Sequence, residues 1–337
     1  MKPTRQAGGG RRLRIVQVIS NYPYAQPVPS FRGGTEKVVH DVTESLVKRG
    51  HDVTLFAALG SRTGARLIAY PRGLKASGIA DFVLRRLPPG TDIIHDHTFR
   101  SQLGRRKRPV PVVCTIHMPE SHRVAYPVYV SQRARQLFGR GRGFYVYNGI
   151  DPAAYPLVRR KRGYLLFIGR LIREKGVLQA IEVAERTGSR LLIAGPVKDA
   201  RFFRNELAPR LASNRHIRYI GEVSGTRKTS VIGHAKCVLF PVQWEEPFGL
   251  VMIEAMACGT PVLALRRGSV PEVLAGFPGL ICGSVAEMAR KALTGRFPPP
   301  AALRRYVAAR FSRKRMIDRY LAVYRAVIRR EGGGGAR

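Results

Sequence analysis

Short apolar runs, each followed by a longer amphipathic stretch, recur along almost the whole chain, and this alternation leaves few folds open. An apolar run bounded by turn residues reads as a strand buried on both faces, and an apolar stripe at helical spacing reads as the helix that covers it. Their alternation builds βαβ units and therefore parallel sheets. In the first half the predicted strands are Leu13 to Ser20, Val53 to Phe56, Asp92 to His95, Val112 to Thr115 and Phe144 to Tyr147. A helix from Gly34 to Lys48 carries Val38, Val39, Val42, Leu46 and Val47, and Gly50 stops it. In the second half, strands at Tyr164 to Ile168, Leu191 to Ala194, Ile217 to Ile220, Val238 to Phe240 and Val262 to Ala264 alternate with helices. Those helices lie near Val177 to Thr187, Ala200 to Ala212 and Phe248 to Cys258. The 337 residues suit two domains of about 150 residues each. The expected fold is α/β: two Rossmann-like, doubly wound parallel-sheet domains facing across a cleft, where a ligand binds.

The segment 151–163 combines prolines with the charge run Arg159 to Arg162 and reads as a linker. The expected division is a flexible tail over 1–12, a first domain over 13–150, this linker, and a second domain over 164–312. A helix over 313–330 with Met316, Tyr320, Tyr324 and Val327 on one face packs back toward the first domain, before a tail over 331–337. Apolar residues make up 45% of the chain, but no run approaches the ~20 residues of a membrane span. The first residues are basic without an apolar signal core, so a cytoplasmic protein is expected. Cys114, Cys237, Cys258 and Cys282 sit in apolar surroundings without metal-type spacing and read as reduced, buried thiols.

Charge is the unusual part of the composition: 59 basic against 22 acidic residues, a formal +37. Clusters at Arg105 to Arg108, Arg159 to Arg162 and Arg313 to Arg315 would suit an anionic lipid surface, an anionic acceptor or nucleic acid. Arginine is spread over both halves as a compositional bias would spread it, so most of these residues read as solvated surface. A nucleic-acid-binding basic α/β protein is the alternative from a different class. Against it, Arg32-Gly33-Gly34 stands alone rather than in a tract, and Gly139 to Gly143 reads as a flexible loop. A Rossmann oxidoreductase is disfavoured because Asn21-Tyr22-Pro23-Tyr24 follows the first strand in place of G-x-G-x-x-G.

The most informative segment runs from Glu246 to Val262. Pro247 and Gly249 suit the turn into a helix whose apolar body is Val251 to Met256, before Gly259 and Pro261 stop it. The first N–H groups of that helix lack partners and attract phosphate. Glu246 precedes the helix and Glu254 lies within it. With a diphosphate at the helix start, one carboxylate reaches sugar hydroxyls and the other ribose hydroxyls, a spacing that matches a nucleotide-sugar. The stretch from Glu246 to Glu272, including Pro261-Val262 and Gly268-Ser269-Val270-Pro271-Glu272, resembles the retaining family 4 glycosyltransferases of the GT-B fold. The seven residues between Glu246 and Glu254 fit that family's E-x7-E motif.

The resemblance extends from about residue 13 to 330 and assigns further positions. Gly33-Gly34-Thr35-Glu36 matches the Gly-Gly loop that lies beside the donor phosphates. His117 fits the position whose imidazole contacts the donor sugar, although Met118-Pro119 replaces the usual glycine after it. His95 and His97 read as hydrogen-bonding supports or loop anchors, since a lone His-x-His with one Asp is a poor metal signature. Arg170 and Lys175, after a strand and before a helix, match phosphate contacts, a planar fork and a point charge. Asn148 to Asp151 resembles the hinge, and Ile220 to Val223 the loop beside the nucleotide base, with Val223 touching the base through its backbone.

The resemblance therefore implies transfer of a hexose-type sugar from a nucleoside diphosphate sugar, UDP-sugar favoured, to an acceptor hydroxyl with retention and without a cofactor or metal. Arg170, Lys175, the Gly33-Gly34 backbone and the helix start at Phe248, Gly249 and Leu250 would stabilise the leaving diphosphate. Its oxygen could accept the proton of the acceptor. Glu246 would orient the sugar and Glu254 the ribose. They are not the acid and nucleophile of a glycosidase, which sit about 5 to 9.5 Å apart beside one glycosidic bond. A GT-B phosphorylase or a nucleotide-sugar epimerase is the alternative among enzymes. The acceptor stays open between a small molecule, an oligosaccharide and a lipid-linked glycan, the last with peripheral contact at an anionic inner membrane face. The motif variants lean toward the bacterial branch acting on small molecules and oligosaccharides.

Overall fold

The structure, a computed structural model, describes residues 11–20, 28, 33–118 and 123–332. The expectations for Asn21 to Tyr24, Arg32, Pro119, and the tails at Gly8 to Gly10 and beyond Gly332 fall outside the described residues. Two parallel sheets form. The first has strands β1 (Arg14–Val18), β2 (Asp52–Ala57), β3 (Arg66–Ala69), β4 (Ile93–Asp96), β5 (Val112–Ile116), β6 (Tyr126–Tyr129) and β7 (Phe144–Tyr145), in spatial order β3-β2-β1-β4-β5-β6-β7. The second has β8 (Leu165–Ile168), β9 (Leu191–Ala194), β10 (Ile217–Tyr219), β11 (Cys237–Phe240), β12 (Val262–Leu265) and β13 (Ile281–Cys282), in order β10-β9-β8-β11-β12-β13. Both are doubly wound, so each has a switch point, β1/β4 in the first and β8/β11 in the second, where loops diverge and leave a crevice.

Helices Gly34–Lys48 and Val177–Thr187 take the bounds that their apolar periodicity predicts. Strands β3, β6 and β13 were not legible: β3 is only half buried, β6 contains Pro127, which argues against a strand interior, and β13 has two residues. The helix expected from Ala200 to Ala212 is interrupted by a π turn over Phe203–Leu207, and α-helix resumes at Ala208–Ser213. Pro209 explains the break, since it has no N–H and its ring crowds the carbonyl four residues back.

The second domain holds one large apolar core under its six strands. The first domain's core needs the end of the chain. Met316, Ile317, Tyr320, Leu321, Tyr324 and Val327 form one stripe of helix Arg313–Gly332 and are buried against Leu13, Ile15, Val38, Val42, Leu46 and Val53. The chain thus crosses between domains twice, and the crossings lie side by side: Ile150 N–H donates to Phe311 O at 2.9 Å and Arg313 N–H to Ile150 O at 2.7 Å. A Cβ on Gly149 would stand 2.6 Å from Ser312 O, so the close approach requires glycine there. The four cysteines are buried and unpaired.

Candidate active site

The second sheet's switch point gathers the cations. Arg170 follows β8, Lys175 sits in the next turn, and the loop after β11 brings Trp244 and Glu246 to them. Lys175 Nζ lies 2.5 Å from Glu246 Oε2, and Trp244 Nε1 donates to the same oxygen at 2.6 Å. The Lys175 ammonium is 4.6 Å from the Trp244 ring centroid and the Arg170 guanidinium 5.6 Å. Burial pushes the Lys175 ammonium below the ordinary lysine range; Glu246 opposes that shift and Arg170 adds to it. The loop carrying Glu246 is pinned from behind by Ser269 N–H on Glu246 O at 2.9 Å. Gly268, at φ +50°, passes so close that a Cβ there would stand 2.3 Å from the Glu246 backbone.

The helix after Glu246 spans Leu250–Ala257 and begins two residues later than expected, because Gly249 takes a left-handed φ of +77° as its N-cap. A glycine N-cap has no side chain to satisfy the first N–H groups, which leaves the positive end of the helix for an anion. Helix Gly34–Lys48 also starts from a glycine N-cap, Gly33. The two helix starts meet across the cleft: a Cβ on Gly34 would lie 3.3 Å from Leu250 Cδ1. Phe248 points elsewhere, its ring buried against Tyr147 and Phe311 at the crossover, so only its backbone neighbours the helix start.

Glu254 is 3% exposed on the same helix. Lys228, from helix Gly225–His234, places Nζ 2.7 Å from its Oε2, and the Tyr155 hydroxyl donates to its Oε1 at 3.0 Å. Burial alone would raise the Glu254 carboxyl, but Lys228, then Lys37 and the Tyr155 hydroxyl, outweigh it and hold the carboxyl below the ordinary range. Val223 is half exposed in the loop between β10 and that helix, and Gly195 N–H donates to Gly221 O at 3.0 Å, joining this loop to the one after β9.

On the first domain's side, His117 directly follows β5 and is half buried, and its Nε2 lies 2.9 Å from His97 Nδ1. Burial lowers its pKa to about 4, so the ring is neutral near pH 7. Of the His95-Asp96-His97 run, the loop anchor is Asp96, which accepts from Thr98 N and Oγ1, Leu103 N and Gly104 N, while the two imidazoles bond neighbouring side chains, including the Tyr324 hydroxyl of the closing helix.

Sequence reasoning missed the residues that hold the two carboxylates and the domains. Lys228 and Tyr155 carry no motif. Glu272 was read only as a motif end, yet it reaches into the first domain and caps helix Gln132–Gly139, accepting from Gln132 N at 2.8 Å, Arg133 N at 2.9 Å and the Tyr147 hydroxyl at 2.5 Å. Beside it, Ser131 Oγ donates to Pro247 O at 2.7 Å.

Residues 156–294 match the family described as Glycosyl transferases group 1, and residues 32–154 match Glycosyltransferase Family 4. The chain belongs to the family 4 glycosyltransferases. It is 27% identical to glycogen synthase of Mycobacterium tuberculosis, over 88% of this chain and 89% of that one. Among solved structures it is similar to AviGT4, a glycosyltransferase involved in avilamycin A biosynthesis, with 26% identity, a TM-score of 0.77, and coverage of 94% of this chain and 98% of that one. Anabaena HepE in complex with UDP-glucose shares the fold, with 16% identity, a TM-score of 0.73, and coverage of 93% and 99%. This enzyme is therefore a glycosyltransferase of GT-B architecture. Among its described residues no helix is long and apolar enough to cross a membrane.

Proposed function

We propose that the enzyme moves a hexose-type sugar from a UDP-sugar to an acceptor hydroxyl, with retention and without a metal. The observation that carries this reading is the meeting of two glycine-capped helix starts, at Gly34 and Leu250, the second entered from the loop whose Trp244 and Glu246 hold Arg170 and Lys175. The positive helix end at Leu250 and the two cations suit a nucleoside diphosphate, which carries two negative charges in the donor and gathers about one more as its bond to the sugar breaks. In this reading Lys175 divides its charge between Glu246 and the diphosphate, Glu246 orients the sugar, and Glu254 accepts from the ribose hydroxyls. His117 stands at the sugar on the facing domain, and Val223 borders the base. An oxygen of the departing phosphate takes the acceptor's proton as the acceptor attacks from the same face. UDP is favoured because HepE, which has this fold, was solved with UDP-glucose.

The acceptor is a hydroxyl of a sugar, a small molecule or a lipid-linked glycan. Exposed Arg105, Arg106 and Lys107 offer a surface for anionic lipid in the last case. Calorimetric titration with UDP-, GDP-, ADP- and dTDP-glucose tests the donor site: one selective donor, weakened in Glu254→Ala and Arg170→Ala, supports it, and equal binding by wild type and variants refutes it. Product NMR then reads the anomeric configuration, and EDTA treatment without loss of rate is the expected result for metal independence.

A further inference from the structure

Seven polar side chains form one hydrogen-bond chain from His117 to the closing helix. His117 Nε2 lies 2.9 Å from His97 Nδ1, and His97 Nε2 lies 3.0 Å from Gln17 Oε1. Gln17 Nε2 donates to the Tyr324 hydroxyl at 3.2 Å, and that hydroxyl lies 2.6 Å from His95 Nδ1. His95 Nε2 lies 2.7 Å from Thr115 Oγ1, which is 3.2 Å from the Tyr320 hydroxyl. Gln17, His95, Tyr320 and Tyr324 are fully buried. The geometry comes from the sheet: Gln17 is in register with His95 on the neighbouring strand, and alternate residues share a face, so Gln17, His95, His97, Thr115 and His117 form one polar patch under Tyr320 and Tyr324.

Such a chain has a direction. A neutral imidazole has one donor nitrogen and one acceptor nitrogen, so fixing one end of a ring fixes the other. Gln17 is the member whose two ends differ chemically whatever the pH. Its carbonyl oxygen can only accept, so His97 Nε2 carries a proton and His97 Nδ1 is bare. A bare Nδ1 can only accept, so His117 Nε2 carries a proton in turn. On the other side the Gln17 amide donates to Tyr324, whose proton goes to His95 Nδ1. His117 Nδ1 has no hydrogen-bond partner among the described residues.

We infer that the closing helix, acting through Tyr324, Gln17 and His97, locks His117 in the Nε2–H tautomer, so that in the donor-site reading above the ring meets the sugar only as an acceptor, at its bare Nδ1. The second half rests on the donor-site reading above; the first does not. Tyr324, Gln17 and His97 are positioning residues, because they reach the substrate only through the His117 ring. The chain's last helix, part of the first domain's core, thereby sets which kind of hydrogen bond the cleft offers to the sugar.

Histidine-selective 15N NMR of the ligand-free enzyme reads the tautomer directly, with His117→Asn assigning the signal. The expected wild-type result is a protonated Nε2 and a bare Nδ1. In Gln17→Met, and independently in Tyr324→Phe, a second His117 tautomer should appear, and kcat with UDP-glucose should fall on the order of tenfold, as for one lost well-placed hydrogen bond. KM should move less. A wild-type ring protonated at Nδ1, or a His117 tautomer unchanged in both variants, overturns the lock. A locked tautomer together with full activity of His117→Asn leaves the lock standing and overturns the sugar contact.

Discussion

Replacing Lys228 by Met isolates the electrostatics of Glu254. In the wild type the carboxylate is 3% exposed, and its main cation is Lys228 at 2.7 Å, itself 26% exposed. Burial acts to raise the carboxyl and is the largest single influence; Lys228 is the largest opposing one, followed by Lys37 and Tyr155. Without Lys228, burial faces only the last two, and the carboxyl rises above its unfolded value. Removing one partner of a buried ion pair costs about 3 to 5 kcal/mol; with Lys228 partly solvated and the Tyr155 hydroxyl retained, about 2 to 3 kcal/mol is expected near neutral pH. The pH dependence then changes sign. In the wild type the depressed carboxyl contributes stability that is present above the unfolded value and is lost as pH falls through the folded one. In the variant the raised carboxyl contributes stability that is complete below the unfolded value and is lost as pH rises through the folded one. The stability gap between the two proteins should therefore shrink as pH is lowered from about 7.5 toward about 5, by up to about 1.4 kcal/mol per pH unit. Urea unfolding of both proteins across that range measures the gap, and taking the difference cancels groups that titrate alike in both. UDP binding by calorimetry should weaken about tenfold in the variant near neutral pH. A gap that stays constant with pH would refute the assignment of Lys228 as the cation that keeps Glu254 ionised.

Arg170→Ala and Lys175→Ala should each lower kcat/KM about 100- to 1000-fold in a sugar-transfer assay, since in the proposed reading each removes a charge that stabilises the leaving diphosphate. His95, His97 and His117 all have pKa values depressed by burial, His117 to about 4. Their neutral forms stabilise the fold fully above the unfolded histidine value, and this is lost as pH falls below it. Thermal unfolding should therefore show destabilisation beginning near pH 6.5, and His117→Asn should make that acid limb shallower, by at most about 1.4 kcal/mol per pH unit. Glu272→Ala removes the cap that the second domain places on helix Gln132–Gly139 and should cost about 1 to 2 kcal/mol in thermal stability and broaden the interdomain arrangement seen by small-angle scattering. Gly268→Ala, which drives a Cβ into the Glu246 backbone, should destabilise by about 1 to 3 kcal/mol and weaken donor binding together with it.

Most of the fold could be read locally. The apolar periodicity of Gly34–Lys48 and Val177–Thr187 gave their bounds, and the runs at β8, β9, β11 and β12 were long enough to stand out. The elements that escaped were those whose identity comes from neighbours. Strand β6 tolerates Pro127 because its pairing with β7 begins only at Val128, which leaves Pro127 at an edge on that side, and β13 is two residues completing the edge beside β12. The placement of the proposed donor residues was legible for the same reason as the helices: Glu246, Gly249 and Glu254 lie on one local turn and helix.

By itself the sequence determined what depends on residues within a few turns of one another, namely strand and helix periods, the glycine-bearing turns that lead into helices, and the two glutamates flanking one helix start. Tertiary structure alone decided who faces those groups. Gln17 meets Tyr324 across 307 positions, Glu272 caps a helix 140 residues earlier, and Lys228 lies 26 residues from Glu254 on a different helix. No local pattern records such pairings. A lone lysine, glutamine or tyrosine reads the same in a sequence whether it ends in water or against a buried partner, and only the packing of two domains and a returning helix removes the water that would otherwise make those contacts weak.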